Sequence, residues 1–91
     1  MNGFQRTVAR WLSEQGITWT EEYPCGPYRL DLYLPELRLA VEVDGKFFHG
    51  SRKDFERDAN ILNWFGIKTV RIPVGTRKAI TLAMILGEEP L

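Results

Sequence analysis

The chain has 91 residues, 44% apolar and 12% aromatic, with twelve basic and twelve acidic side chains. A chain of this length buries only roughly 60–65% of the surface it exposes when unfolded, which leaves room for one domain and no second regulatory or substrate domain; its aromatic content still supports a compact core and excludes a disordered chain. One Cys and one His exclude a disulfide framework and a four-ligand zinc centre within one chain. With no apolar run near the roughly 20 residues of a membrane span and no signal-peptide stretch, the expectation is a soluble protein in the reducing cytoplasm.

From Phe4 the apolar residues Val8, Trp11 and Leu12 recur at helical spacing, and Gly16 follows where a C-cap would sit. The β-branched alternation Ile17-Thr18-Trp19-Thr20 predicts a short strand, and Tyr23-Pro24-Cys25-Gly26-Pro27 signals a turn or an edge break. Next, Leu30, Leu32 and Leu34 alternate with Arg29, Asp31 and Tyr33, and Leu37, Leu39, Val41 and Val43 alternate with Arg38, Ala40, Glu42 and Asp44. This predicts an antiparallel hairpin turning at Pro35-Glu36, with both leucine/valine rows on one face and Asp31, Glu42 and Asp44 on the other.

Between Arg52 and Phe65 the stripe Phe55, Ala59, Leu62 and Phe65, widened by Ile61 and Trp64, predicts a second helix ended by Gly66. Ile67 to Ile72 reads as a strand closed by Pro73, and Thr76 can cap a last helix that ends at Gly87. Trp11, Trp19 and Trp64 are expected in the core, as are Phe47 and Phe48. The order is α-β-β-β-α-β-α, with a helical crossover able to deliver the last strand parallel to a neighbour. The core spans about 4–74 and the C-terminal helix about 76–87.

Charge is unevenly distributed: residues 1–44 carry four basic and seven acidic side chains, and residues 45–91 carry eight and five. Cross-strand neighbours on a hairpin lie roughly 4.5–8 Å apart, so Asp31, Glu42 and Asp44 can converge on one cation. Carboxylates with the Val43 carbonyl and water suit Mg²⁺, Mn²⁺ or Ca²⁺. The alternative is a pair of solvated salt bridges, Glu42 with Arg29 and Asp31 with Arg38. His49, just beyond the acids, can exchange a proton at neutral pH. Asp58 can anchor His49 or an Arg, or stay on the surface.

The stretch from Tyr28 to His49, followed by Phe55 to Ile72, resembles the very-short-patch-repair-like branch of the PD-(D/E)XK nuclease superfamily over roughly residues 4–72. The resemblance rests on an Asp on one strand, Val41-Glu42-Val43-Asp44-Gly45 on the next, a His five positions later, and Arg57-Asp58 on a helix leading to Gly66 and an Arg-containing strand. It implies a restriction-endonuclease-like α/β core with a mixed sheet, and Mg²⁺- or Mn²⁺-dependent hydrolysis of DNA phosphodiesters. Carried over by position, Asp31 is the metal-binding Asp, the Val43 carbonyl a second ligand, and Glu42 an acidic ligand. Asp44 stands where the family has Lys or His, and His49 matches the branch's second catalytic His. A second alignment takes Asp44-Gly45-Lys46 as the D-x-K element, with Asp44 the metal acid and Lys46 the water-orienting or charge-stabilising residue. Leu30 replaces the family's Pro, and Gln5 stands where related nucleases place a Glu; Gln5 can orient a water but brings no charge.

These readings converge on a metal-dependent DNA endonuclease that nicks DNA, a monomer or homodimer, within a larger DNA-processing assembly or alone. Lys46, Arg52, Lys53 and Arg57 are the candidate phosphate contacts. The rivals are a catalytically weak or inactive nucleic-acid-binding module on the same fold and a protein-interaction domain.

Overall fold

The computed structural model describes residues 2–45 and 51–88. Lys46, Phe47, Phe48 and His49 lie outside the described residues. The elements are α1 (Gly3–Glu14), β1 (Thr20–Cys25), β2 (Tyr28–Leu34), β3 (Leu39–Asp44), α2 (Arg52–Phe65), β4 (Lys68–Pro73) and α3 (Lys78–Leu86). The strands form one sheet in the order β1-β2-β3-β4, antiparallel across the first two pairs and parallel between β3 and β4. The α2 crossover thus delivers the last strand parallel to its neighbour, as the sequence order anticipates.

The helices cover both faces of the sheet. On one side Val8, Ala9 and Leu12 of α1 and Ile85 of α3 pack on Leu32, Leu34, Leu39, Val41 and Ile72. On the other, Ile61 of α2 packs on Leu30 and Ala40, with Cys25 and Ile67. The hairpin therefore has no solvated polar face: β3 is central, and Leu39, Ala40, Val41 and Glu42 are all buried. Leu30 also departs from the predicted single row. Leu32 and Leu34 belong to the α1 side and Leu30 to the α2 side, so the strict alternation of β2 breaks at Asp31. Across from Asp31 in β1, Glu22 adopts φ 49°, a left-handed conformation unusual for a residue with a Cβ.

Local chemistry explains most boundaries. Asn2 caps α1 by accepting from the Gln5 N–H, and Gly16, at φ 73°, lets the Ile17 N–H return to the Leu12 carbonyl at 2.9 Å. Thr20, rather than Ile17, opens β1, and Pro24 is tolerated there because β1 is an edge strand. Ser51 and Asp54 form a reciprocal capping box on α2, and Gly66 ends that helix in the left-handed region. Thr76 does not cap α3. Its hydroxyl donates to the Pro73 carbonyl at 2.7 Å, and the N-cap position falls to Arg77, which makes no side-chain cap bond.

The buried face of α2 differs from the predicted stripe. Ile61 is fully buried, while Phe55, Leu62 and Trp64 are 76%, 50% and 60% exposed. The sheet-facing positions are taken by Arg57, Asp58 and Ile61, because charged groups of α2 meet charged groups of β3 and β4. Trp11 and Trp19 pack against the core, as expected; Trp64 does not.

Gly26 turns β1 into β2 at φ 58°, and a Cβ there would lie 2.6 Å from the tip of the Phe65 ring, whereas a Cβ on Gly16 would meet open space. Gly16→Ala should cost about 1 kcal/mol from backbone conformation alone. Gly26→Ala should cost more, about 2–3 kcal/mol, because Phe65 must also move. Urea unfolding of the two variants checks this; equal losses would show that Phe65 yields freely.

Candidate functional site

Backbone pairing between β2 and β3 runs from Leu34↔Leu39 through Leu32↔Val41 and stops there, although both strands continue. Beyond that point side-chain carboxylates replace backbone carbonyls as acceptors. The Asp31 N–H donates to Glu42 Oε2 at 3.0 Å, and the Val43 N–H donates to Asp31 Oδ2 at 3.0 Å. From α1, Gln5 Nε2 donates to the Asp31 carbonyl at 3.2 Å, and Gln5 is itself only 3% exposed. Three hydrogen bonds, two with β3 and one with α1, thus fix Asp31. In an extended residue the N–H and C=O point to the same side, so the Val43 carbonyl also opens toward β2 and Asp31.

Glu42 is 5% exposed and faces α2, where Arg57 Nη2 donates to its Oε1 at 2.6 Å. The same nitrogen donates to the Arg29 carbonyl at 2.8 Å, and the guanidinium carbon lies 5.5 Å from the centre of the Tyr28 ring. Glu42 therefore pairs with Arg57 rather than Arg29, and Arg38 donates to the Phe65 carbonyl rather than to Asp31. Burial, reinforced by the adjoining Asp31 carboxylate, pushes the Glu42 carboxyl up from 4.5 to about 7, outweighing the opposing pull of the Asp31 N–H and Arg57.

Asp44 is not brought to this pair. It accepts from Arg71 Nη1 at 3.0 Å, and Arg71 makes a two-pronged contact with Asp58, both bonds 2.8 Å, with Asp54 3.8 Å away. Burial raises the Asp44 carboxyl, and Arg71 partly offsets it. The hydrogen bonds from Ser51 lower that of Asp54, while those to Asp58 raise the Arg71 guanidinium. Arg52 pairs with Glu56 and is exposed, as is Lys53. Arg57 is turned inward. Lys46 and His49 lie outside the described residues.

Arg71 is one of the basic residues that flank the acids in sequence, but its pairing with Asp44 and Asp58, and the part played by Asp54, were not expected. The available signal was a charged residue inside the apolar strand Val70-Arg71-Ile72, in parallel register with Glu42. Of the roles open to Asp58, anchoring an Arg is observed, and His49 lies outside the described residues.

Among the described residues no group of three or more His, Cys, Asp or Glu side chains is arranged to hold a metal ion. The adjoining carboxylates of Asp31 and Glu42, with the Val43 carbonyl, are nevertheless hard oxygen donors. That set fits Mg²⁺ or Mn²⁺, which accept one or two carboxylates and keep several waters. No helix among the described residues is long and apolar enough to cross a membrane.

The α-β-β-β-α-β-α order and four-stranded mixed sheet match an endonuclease catalytic domain, the nuclease fold that the sequence resemblance implied. The solved structure in question is the catalytic domain of the homing endonuclease I-Bth0305I. It superposes with a TM-score of 0.62 over 96% of this chain and 97% of that one, at 19% sequence identity. No family model matches the chain.

The raised Glu42 carboxyl has a defined consequence for the metal-free protein. Between pH 4.5 and about 7 the folded state binds more protons at Glu42 than the unfolded state, so this residue's contribution is full below pH 4.5 and lost as pH rises through 7. Relative to Glu42→Gln, wild-type stability should fall across this window by on the order of 3 kcal/mol. Thermal melts from pH 4.5 to 8 in chelator test this, and parallel curves would rule it out.

Proposed function

We propose that this chain is a metal-dependent DNA endonuclease domain of the very-short-patch-repair-like type, hydrolysing phosphodiester bonds and nicking DNA. Its core covers about 4–74, with the last helix at about 76–87. The observation that carries the reading is the meeting of Asp31, Glu42 and the Val43 backbone where the β2–β3 ladder stops, on a fold shared with an endonuclease catalytic domain. The buried free thiol of Cys25 suits the reducing cytoplasm.

In this reading Asp31, Glu42 and the Val43 carbonyl would hold Mg²⁺ or Mn²⁺, which would supply positive charge against the scissile phosphate and its in-line transition state. Gln5 positions Asp31 through its carbonyl and adds no charge. Asp44 and His49 are assigned to the attacking water, with Lys46 as the charge-stabilising alternative. Asp44 is the nearer of the two acids to Arg71, which leaves Glu42 as the acid beside Asp31. Arg52 and Lys53, exposed at the start of α2, are assigned to backbone phosphates, whose recognition is indifferent to sequence. DNA is the partner, and a monomer with one site nicks where a symmetric dimer would cut both strands.

One observation favours the second reading, a nuclease-fold module that binds nucleic acid without cutting it: both oxygens of Glu42 are already engaged, by the Asp31 N–H and by Arg57.

Supercoiled plasmid at low salt, with and without Mg²⁺ or Mn²⁺, separates the two. Metal-dependent nicked product is expected, with Asp31→Ala at least about a hundredfold slower. Plasmid retarded on a gel but uncut would transfer the conclusion to the binding module. Neither cutting nor retardation would remove both readings.

A further inference from the structure

We infer that Arg57 is the internal counter-cation of the Asp31–Glu42 pair, so that a divalent ion binds there in competition with its guanidinium. The inference rests on the metal reading above and departs from the sequence expectation that Arg57 grips phosphate.

The charge distribution leads to it. Among the described residues, four carboxylates, those of Glu42, Asp44, Asp54 and Asp58, gather around the guanidiniums of Arg57 and Arg71, and Asp31 adjoins Glu42. Arg71 serves Asp44, Asp54 and Asp58 from β4. Arg57 reaches Glu42, 2.6 Å from Oε1, and only grazes Asp58 at 3.5 Å. It is held in place from three directions: the Glu42 carboxylate, the Arg29 carbonyl and the face of Tyr28, whose hydroxyl Asn60 Nδ2 holds at 3.0 Å.

The outcome is a carboxylate pair with three of its four oxygens already hydrogen-bonded. Glu42 Oε2 accepts from the Asp31 N–H, Oε1 from Arg57, and Asp31 Oδ2 from the Val43 N–H. Of these donors only Arg57 carries a charge, and only Arg57 sits on a side chain that can swing away. A cation using Glu42 shares Oε1 with it, displaces it or takes the remaining lone pair of Oε2, in each case against a like charge within a few ångströms in a partly dry site. A displaced Arg57 would stand beside the exposed Arg52 and Lys53, where a phosphate would meet it. Its inward position and the phosphate contact expected from the sequence are then two states of one side chain.

The test is titration of MnCl₂ into metal-free protein without DNA, by calorimetry and by thermal melting, for wild type, Arg57→Met, Arg57→Lys and Asp31→Asn. Arg57→Met should bind Mn²⁺ about tenfold more tightly than wild type, because the like charge is gone. It should also melt lower without metal and gain more from Mn²⁺. Arg57→Lys, which keeps the charge, should stay near wild-type affinity, and Asp31→Asn should lose binding. If Arg57→Met does not fold without metal, saturating Mn²⁺ should restore a cooperative melt; failure to do so overturns the inference. Equal or weaker binding by Arg57→Met, with Asp31→Asn still abolishing binding, overturns the role of Arg57 and leaves the metal reading standing. No Asp31-dependent binding in any folded variant removes the metal reading and this inference with it.

Discussion

Everything at the candidate site depends on one substitution of partners: where the β2–β3 ladder ends, the carboxylates of Asp31 and Glu42 accept the N–H bonds that strand carbonyls would otherwise take. A ladder bond satisfies a backbone donor with a neutral acceptor. Here the acceptors are carboxyl oxygens, which fixes two acids side by side in a position with little water. The break in alternation between Leu30 and Leu32 and the left-handed Glu22 opposite accompany it. Regular pairing would have set Asp31 and Glu42 facing each other across a closed sheet. The observed arrangement instead leaves a seam, with the Val43 carbonyl opening onto it.

Helix α2 then decides how that seam is electrically balanced. Its sheet-facing positions are charged rather than apolar, so it brings Arg57 to Glu42 and Asp58 to Arg71. Buried ion pairs of this kind add little net stability, because each charge loses water on entering. Their effect is on specificity of arrangement. The two arginines divide the acids into two sets, Glu42 with Asp31 on one side and Asp44 with Asp54 and Asp58 on the other.

Much of this was legible in the chain itself. The limits of α2 follow from its flanking residues: Ser51 and Asp54 satisfy each other at the start, and Gly66 supplies the left-handed conformation at the end. Alternation around Asp31 and Glu42 places them near one another in any hairpin turning at Pro35-Glu36. The buried face of α2 was not legible in the same way. Hydropathy favours the stripe containing Phe55 and Leu62, but the choice is made by charges on β3 and β4, distant in sequence, that single-helix periodicity does not register. Asp44 went astray for the same reason: its partner Arg71 lies 27 positions along the chain, beyond a helical crossover.

That crossover also imposes an order on assembly. Asp31 and Glu42 are only 11 positions apart and come together as soon as the hairpin closes, whereas their balancing cations sit on the later elements, Arg57 on α2 and Arg71 on β4. Local contacts of this kind form before the longer-range docking of a parallel strand, whose loop-closure entropy must be met first. A hairpin that closes ahead of α2 therefore carries its acids without their guanidiniums, and mutual repulsion adds to its barrier. The expected consequence is a folding route whose early steps speed up with ionic strength, and whose later steps, once α2 has docked, respond much less.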